Sequence, residues 1–443
     1  MQNSKKIINR VLLIVLVAIF VAAGVYMLKF CFSGEMLTEM YIDRVEQLEA
    51  NHDDVDLFFV GGSRVYRSFD PDIFDEVLGV KNTTNSGTPA QRPPLTYHLV
   101  KDFLERFNPK CVIVGATYNG MQYEQTKSTV SMAMDRMNFA NRIQSLVNLY
   151  GFDGFLVATG KSEYLSNLNI EEVKDRIAMK SAPYKEKQVL EEETHKSNGF
   201  SGEYKSLKPG SITSGYDSEG DGFDVKDIDA DTMAYYDKII KLCKEKDIRV
   251  IMITGPCTLF KLYRVNNYQG AVDFFNEYAE KNGIEYYNLN YIKDREDILP
   301  DNLFKDKIHL NYEGGQRISK IFANILKEDL AGKDISYHFY KNLEELKKDV
   351  HRIVCCFCKA EYVGNEVQIL LSSYHNKGVK PEYRVLDMEG NVIVDWTNST
   401  KINLPSGKMK GIKEIRAEAR INESDKVVAY TKVKVKGRKD GKK

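Results

Sequence analysis

A chain of 443 residues is too long for one compact core and long enough for a catalytic-sized domain plus a smaller one. Lysine plus arginine and aspartate plus glutamate stand at 63 each. No net field therefore steers the protein toward nucleic acid or any other polyanion, no nucleic-acid partner is expected, and any charge preference must come from local patches.

In chain order, Lys5, Lys6 and Arg10 precede an apolar run from Val11 to Phe32 broken only by Lys29. Roughly 20 apolar residues at about 1.5 Å each cross a hydrocarbon core. The run exceeds the apolar region of a cleaved signal, so residues 1–32 are predicted to be a short cytoplasmic N-terminus and a retained single-pass membrane anchor. Ala22-Ala23-Gly24 leaves cleavage as the alternative. Basic residues before the span put the N-terminus inside the cell and the globular parts outside. Residues 33–55 read as a helical stalk, with Leu37, Met40, Tyr41 and Val45 at helical spacing.

Strands and helices then alternate. Strands are predicted at 56–60, 81–85, 111–115, 249–254 and 285–288, and helices at 71–78, 95–107, 229–246, 271–282 and 313–330. This rhythm argues for a parallel sheet covered on both faces, over residues 56–332. An insertion from about 120 to 228 interrupts it. It opens on a Met-rich helix containing Met132, Met134 and Met137, either a buried helix or a lid or docking face for a membrane partner. A polar, glycine-rich stretch from Asn198 to Gly222 reads as a long surface loop.

After Lys333 the pattern becomes short alternating segments separated by Asn376-Lys377-Gly378 and Glu389-Gly390-Asn391. Residues 336–437 are therefore predicted to be an antiparallel β-sandwich, with 438–443 a basic tail. The seven cysteines include the cluster Cys355-Cys356-Cys358, which lacks a second Cys or His pair at zinc spacing. Neither a metal nor another cofactor is expected.

Three segments carry chemistry. The run Leu57-Phe58-Phe59-Val60 ends at Gly61-Gly62-Ser63, where Ser63 is either a helix cap or an exposed nucleophile. Asp306-Lys307-Ile308-His309 spaces a carboxylate three residues before an imidazole. On one face of a helical turn the carboxylate would orient the ring and leave its other nitrogen free to take a serine proton. Asn85-Ser86-Gly87 ends the second strand, and a glycine there lets amides approach an oxyanion. In an open α/β sheet the turns at Ser63, Gly87 and Gly115 share one crevice.

Serine, oxyanion glycine, then Asp-x-x-His in this order resembles the SGNH/GDSL hydrolases over about residues 56–332. The resemblance implies a flavodoxin-like SGNH sheet with Ser63 as nucleophile, Gly87 as oxyanion glycine, and Asp306 and His309 as acid and base. The family's usual aspartate before the nucleophile is Gly62 here. Its Gly-x-Asn-Asp block reads Gly115-Ala116-Thr117-Tyr118-Asn119, so the oxyanion side chain is either Thr117 or Asn119.

With an N-terminal anchor, the layout is similar to SGNH proteins that work beside membrane-bound O-acyltransferases, of the DltD-like and alginate O-acetylation types. That similarity implies acyl transfer or ester hydrolysis on a cell-surface polysaccharide or teichoic acid. Arg64, Arg67 and Arg92 are candidate contacts for an anionic substrate, or partners of Asp70, Asp72 and Glu76. A catalytically weak partner that presents polymer, and a glycan-binding scaffold, are the alternatives.

Overall fold

The computed structural model describes residues 10–20, 36–122, 130–151, 189–190, 194–208, 221–376, 378–422 and 427–437. Five strands build a parallel sheet: β1 (Leu57–Val60), β2 (Thr84–Asn85), β3 (Cys111–Gly115), β7 (Arg249–Thr254) and β8 (Glu285–Asn288). Their order is β2-β1-β3-β7-β8. Counting only the strands of this sheet, that is the 2-1-3-4-5 order whose switch point lies between the first and third strands.

Strand alternation divides the core. Phe58, Val60, Val112, Val114, Val250 and Met252 face one side, against helices Pro93–Arg106, Ala230–Lys244 and Tyr268–Asn282. Phe59, Ile113, Ile251 and Ile253 face the other, against Phe74 of helix Pro71–Leu78 and Ile318, Phe322 and Leu326 of helix Tyr312–Leu330. Phe59, Ile113 and Ile251 stand in register across three strands. Both faces are thus closed by apolar layers, leaving the strand ends as the place where polar groups can gather.

Helix Met36–Asn51 is not a free stalk. Tyr41, Val45 and Leu48 are buried in the first core with Leu95, Leu99 and Phe103. The apolar stripe was legible, but spacing does not say what covers it. The single Met-rich helix expected at the start of the insertion is two, Val130–Met134 and Phe139–Tyr150, and Met134 and Met137, the latter in the bend between them, are buried in the same core.

The segment expected as a surface loop holds part of a three-stranded antiparallel sheet, β4 (Val189–Leu190), β5 (Thr194–Ser197) and β6 (Phe200–Glu203). Ser197 pairs Phe200 across a two-residue turn at Asn198-Gly199, with φ of 51° and 89°. Two consecutive left-handed residues are what a tight hairpin needs, and Asn-Gly supplies them.

Seven C-terminal strands form two antiparallel sheets around one apolar core: β9 (Cys355–Val363), β10 (Glu366–Tyr374) and β13 (Lys401–Pro405) in one, β11 (Pro381–Asp387), β12 (Val392–Thr397), β14 (Glu414–Ile421) and β15 (Ala429–Lys434) in the other. On β9, Cys356 and Cys358 face that core while Cys355 and Phe357 face the α/β body. Phe357 meets Phe260 at 6.4 Å, and Tyr374 of β10 meets Tyr263 at 5.7 Å. All three cysteines are free and buried. Burial pushes the Cys355 and Cys358 thiols up to about 12, which keeps them protonated and inert.

Residues 10–20 are helical, with exposed Val11, Leu12, Leu13, Ile14, Leu16, Ile19 and Phe20. Among the described residues no helix is long and apolar enough to cross a membrane. Most of the expected anchor, Cys31 and the basic tail lie outside the described residues.

Candidate active site

Strand β1 ends at Val60, and the chain turns through Gly61 and Gly62 into the short helix Ser63–Tyr66. Gly62 is its N-cap and Ser63 its first residue, so Ser63 does not cap the helix. The turn depends on close approach. A Cβ on Gly61 would lie 2.8 Å from Val65 Cγ2 and 3.0 Å from Gly115 Cα, and one on Gly115 2.5 Å from Val65 Cγ2. Glycine at both strand ends lets the serine helix sit directly over the sheet.

His309 and Asp306 arrive from the opposite end of the sequence. Asp306–His309 is a bend rather than a helical turn. Asp306 Oδ1 accepts the amides of Ile308 at 2.8 Å and His309 at 2.9 Å. Its Oδ2 takes the ring, 2.8 Å from His309 Nδ1. Thr258 fixes the loop from the β7 side, donating its amide at 3.1 Å and its hydroxyl at 2.9 Å to the Lys307 carbonyl. Burial works against ionisation of Asp306, but the His309 ring and the two amides outweigh it and hold the carboxyl at about 2.

An ionised Asp306 can only accept, so the ring proton sits on Nδ1 and the Nε2 lone pair is free. Ser63 Oγ lies 2.7 Å from that Nε2 and donates to it. The structure therefore brings together Ser63, His309 and Asp306, which stand 246 and 3 residues apart. The group lies over the ends of β1 and β3, at the switch point of the sheet.

The cleft beside Ser63 has a volume of about 170 Å³. Gln91, Arg92, Thr117, Asn119 and Ile308 are among its walls. Both candidates for the third oxyanion donor, Thr117 and Asn119, line it. Thr117 Oγ1 accepts the Gly120 amide at 3.3 Å, leaving its own proton free to donate. Asn119 Nδ2 reaches Asp221 at 3.4 Å.

Gly87 departs from expectation. Its amide donates to Asn85 Oδ1 at 2.9 Å, and it is not among the cleft's walls. It does pack against the serine helix, since a Cβ there would lie 2.9 Å from the Tyr66 amide. Its neighbour Asn85, which sequence reasoning passed over, is the brace. Asn85 Nδ2 donates to the carbonyls of Phe69 at 2.8 Å and Val65 at 3.3 Å. One buried amide thus ties the Gly87 turn to the far end of the serine helix. Arg136, also buried, donates to the Gly87 carbonyl at 3.1 Å from the insertion.

The three arginines separate. Arg67 is 2.9 Å from Glu203 of β6, which also holds Lys305. Neither Asp70 nor Asp72 is its partner, and Arg67 does not line the cleft. Arg92 lines it and donates from Nη1 to the Asn119 carbonyl at 2.6 Å. Arg64 lines it too. No group of three or more metal-ligating side chains occurs among the described residues.

A protein-family model with no functional description matches residues 226–331, about a quarter of the chain. No curated protein matches it. Among solved structures, a GDSL-like lipase from Bacteroides thetaiotaomicron is similar at 12% identity and a TM-score of 0.29, covering 66% of this chain and 99% of its own. A gut microbial diltiazem-metabolizing enzyme is similar at 12% identity and a TM-score of 0.29, covering 79% of this chain and 72% of its own. With scores this low the likeness adds nothing to the geometry, which stands on the distances above.

Proposed function

We propose that the protein is a serine-dependent acyl-ester enzyme, an esterase or O-acyltransferase of the SGNH/GDSL type. The observation that carries this reading is the continuous chain from Ser63 Oγ through His309 to Asp306, at 2.7 and 2.8 Å. Ser63 Oγ attacks the acyl carbonyl while Nε2 takes its proton, and Asp306 stabilises the imidazolium. The Ser63 amide, with Thr117 or Asn119, meets the oxyanion. The C–O bond to the alcohol breaks as His309 returns the proton to the leaving oxygen. Water or an acceptor hydroxyl then attacks acyl-Ser63 by the same relay, giving hydrolysis or transfer.

The cellular setting belongs to the same reading: a membrane anchor, globular parts outside the cell, and a surface polysaccharide or teichoic acid as acceptor beside a membrane-bound O-acyltransferase. The basic N-terminus and a helix at 10–20 that exposes apolar side chains on every face support the anchor.

A second reading has one observation in its favour. With the Gly87 amide committed to Asn85, the oxyanion site is short of a donor, and losing one donor costs about a hundredfold to a thousandfold in rate. A slow enzyme that chiefly presents acceptor polymer fits that. Turnover of 4-nitrophenyl acetate by wild type and Ser63→Ala decides between them. Loss of all turnover above buffer in a folded Ser63→Ala protein supports the enzyme, and equal rates support the presenting role.

A further inference from the structure

Arg64 follows Ser63 on the same short helix and differs from its two arginine neighbours in what it touches. Arg67 is engaged by Glu203 and Arg92 by the Asn119 carbonyl. Arg64 has neither an ion pair nor a hydrogen bond with any described residue, although it is half-buried. It lines the cleft beside Ser63 and also a small recess of about 10 Å³ whose other walls include Thr117, Tyr118, Tyr268 and Tyr286.

Among the described residues, the acidic groups around it are occupied or stay protonated. Tyr118 donates to Asp221 at 3.0 Å, and Asp221 is paired with Lys261. Tyr286 shares its hydroxyl with Thr254 Oγ1 at 2.8 Å. Burial pushes the Tyr118 and Tyr286 hydroxyls and the Cys257 thiol up, against the lowering effect of the Arg64 charge. All three are neutral at physiological pH. Asp306 is taken by His309 and two amides. Among the described residues Arg64 therefore lines the cleft with no counter-charge, and the planar donors of a guanidinium match a carboxylate or a phosphate. A partly desolvated cation without a partner weakens a fold unless a ligand supplies the missing charge.

We propose that Arg64 is the specificity-determining residue of the cleft and that the ester attacked by Ser63 carries a carboxylate or phosphate, which Arg64 holds. The inference rests on the Ser63 reading and narrows its substrate class. The anion belongs either to the acyl part or to the alcohol part of the ester. Both satisfy the same guanidinium, and binding there would orient the carbonyl over Ser63.

Two matched pairs of esters test it. Mono(4-nitrophenyl) adipate against 4-nitrophenyl hexanoate places the charge on the acyl side. 4-Acetoxybenzoate against its methyl ester places it on the alcohol side. Wild type should favour the charged member of one pair by about ten to a hundredfold in kcat/KM, the range of a charge-assisted hydrogen bond. Arg64→Gln should bring that ratio to about one, with Arg64→Lys between. A wild-type ratio near one in both pairs, or a ratio unchanged in Arg64→Gln, overturns the proposal. Ser63→Ala in the same assay separates the two claims. If it turns over all four esters like wild type, the nucleophile assignment falls; if it is silent while the ratio ignores Arg64, only the anion site falls. Calorimetric titration with adipate and with phenyl phosphate reads the site without turnover: heat of binding in wild type that vanishes in Arg64→Gln supports it, and no binding of either anion to wild type overturns it.

Discussion

In the α/β domain, Asn85, Thr258 and Asp306 direct their hydrogen bonds to loop backbones around Ser63 and His309. In the C-terminal sheets the charged side chains face one another instead. Arg384 donates to Glu418 at 2.6 Å and Arg420 to Glu382 at 2.8 Å, each pair directly opposite across β11 and β14. The sole tryptophan, Trp396, lies under both guanidinium groups, at 4.7 and 4.2 Å. A parallel sheet ends all its strands on one side and gathers their loops there, so polar side chains converge on a crevice. Antiparallel hairpins return at both ends and pair their charges across the face, which satisfies them without making a site. The lesson is that topology, more than composition, decides where reactive groups collect.

The largest effect should come from Asp306→Asn. The asparagine oxygen can still accept the Ile308 and His309 amides, so the bend survives. Its NH₂ then faces Nδ1, forces the proton to Nε2 and removes the base that serves Ser63. A loss of about ten thousandfold in kcat is expected with little change in melting temperature. Unchanged kcat would detach the carboxylate from the chemistry.

Asn85→Ala should act more moderately and on both properties. It strands the Gly87 amide and the Phe69 carbonyl in a buried place, while the Val65 carbonyl keeps the Ser68 and Phe69 amides, for roughly 2–3 kcal/mol of stability. It also loosens the serine helix, and a misplaced nucleophile of this kind costs up to about a hundredfold. Urea unfolding and ester kinetics on one preparation check both. Lost stability with intact kcat would reduce Asn85 to a core residue.

Asp70 offers a pH test inside the same domain. Burial, then the neighbouring Asp72, raises its carboxyl from 3.8 to about 7. The folded protein thus keeps a proton that the unfolded chain loses near pH 4. The stability from this group is whole below pH 4, falls as pH rises toward 7 and is gone above it. Asp70→Asn still accepts the Asp72 amide as a helix cap and should flatten that decline, leaving the variant more stable at pH 8 by about 2–4 kcal/mol. Parallel stability curves from pH 4 to 8 would contradict it.

The smallest effect on chemistry should come from the sandwich. Ile369→Ala in its core should cost about 2–5 kcal/mol of stability and leave kcat/KM for small esters unchanged. Activity falling in step with the sandwich's stability would break the contrast between the two regions.

Much of this was legible in the sequence. Apolar runs that stop at glycine fixed β1, β3 and β7, because a buried parallel strand has no polar face to confuse the reading. Asp306 and His309 stood out by spacing. Asn85 did not, since an asparagine next to a glycine reads as a turn residue and nothing local says that its amide reaches back to Val65 and Phe69. Asn198-Gly199 was a hairpin signal hidden by its polar surroundings. The burial of helix Met36–Asn51 and the capture of Arg67 by Glu203 are set by tertiary contacts, which no single segment carries.

The central claim is that Ser63 is the activated nucleophile. An aryl or alkyl fluorophosphonate, which modifies only serines with a working base, tests it most directly by intact-protein and peptide mass spectrometry. The account predicts one adduct, on the peptide containing Ser63, abolished in Ser63→Ala and slowed at least a thousandfold in His309→Ala. An unlabelled wild-type protein, or an adduct on any other serine, would contradict it.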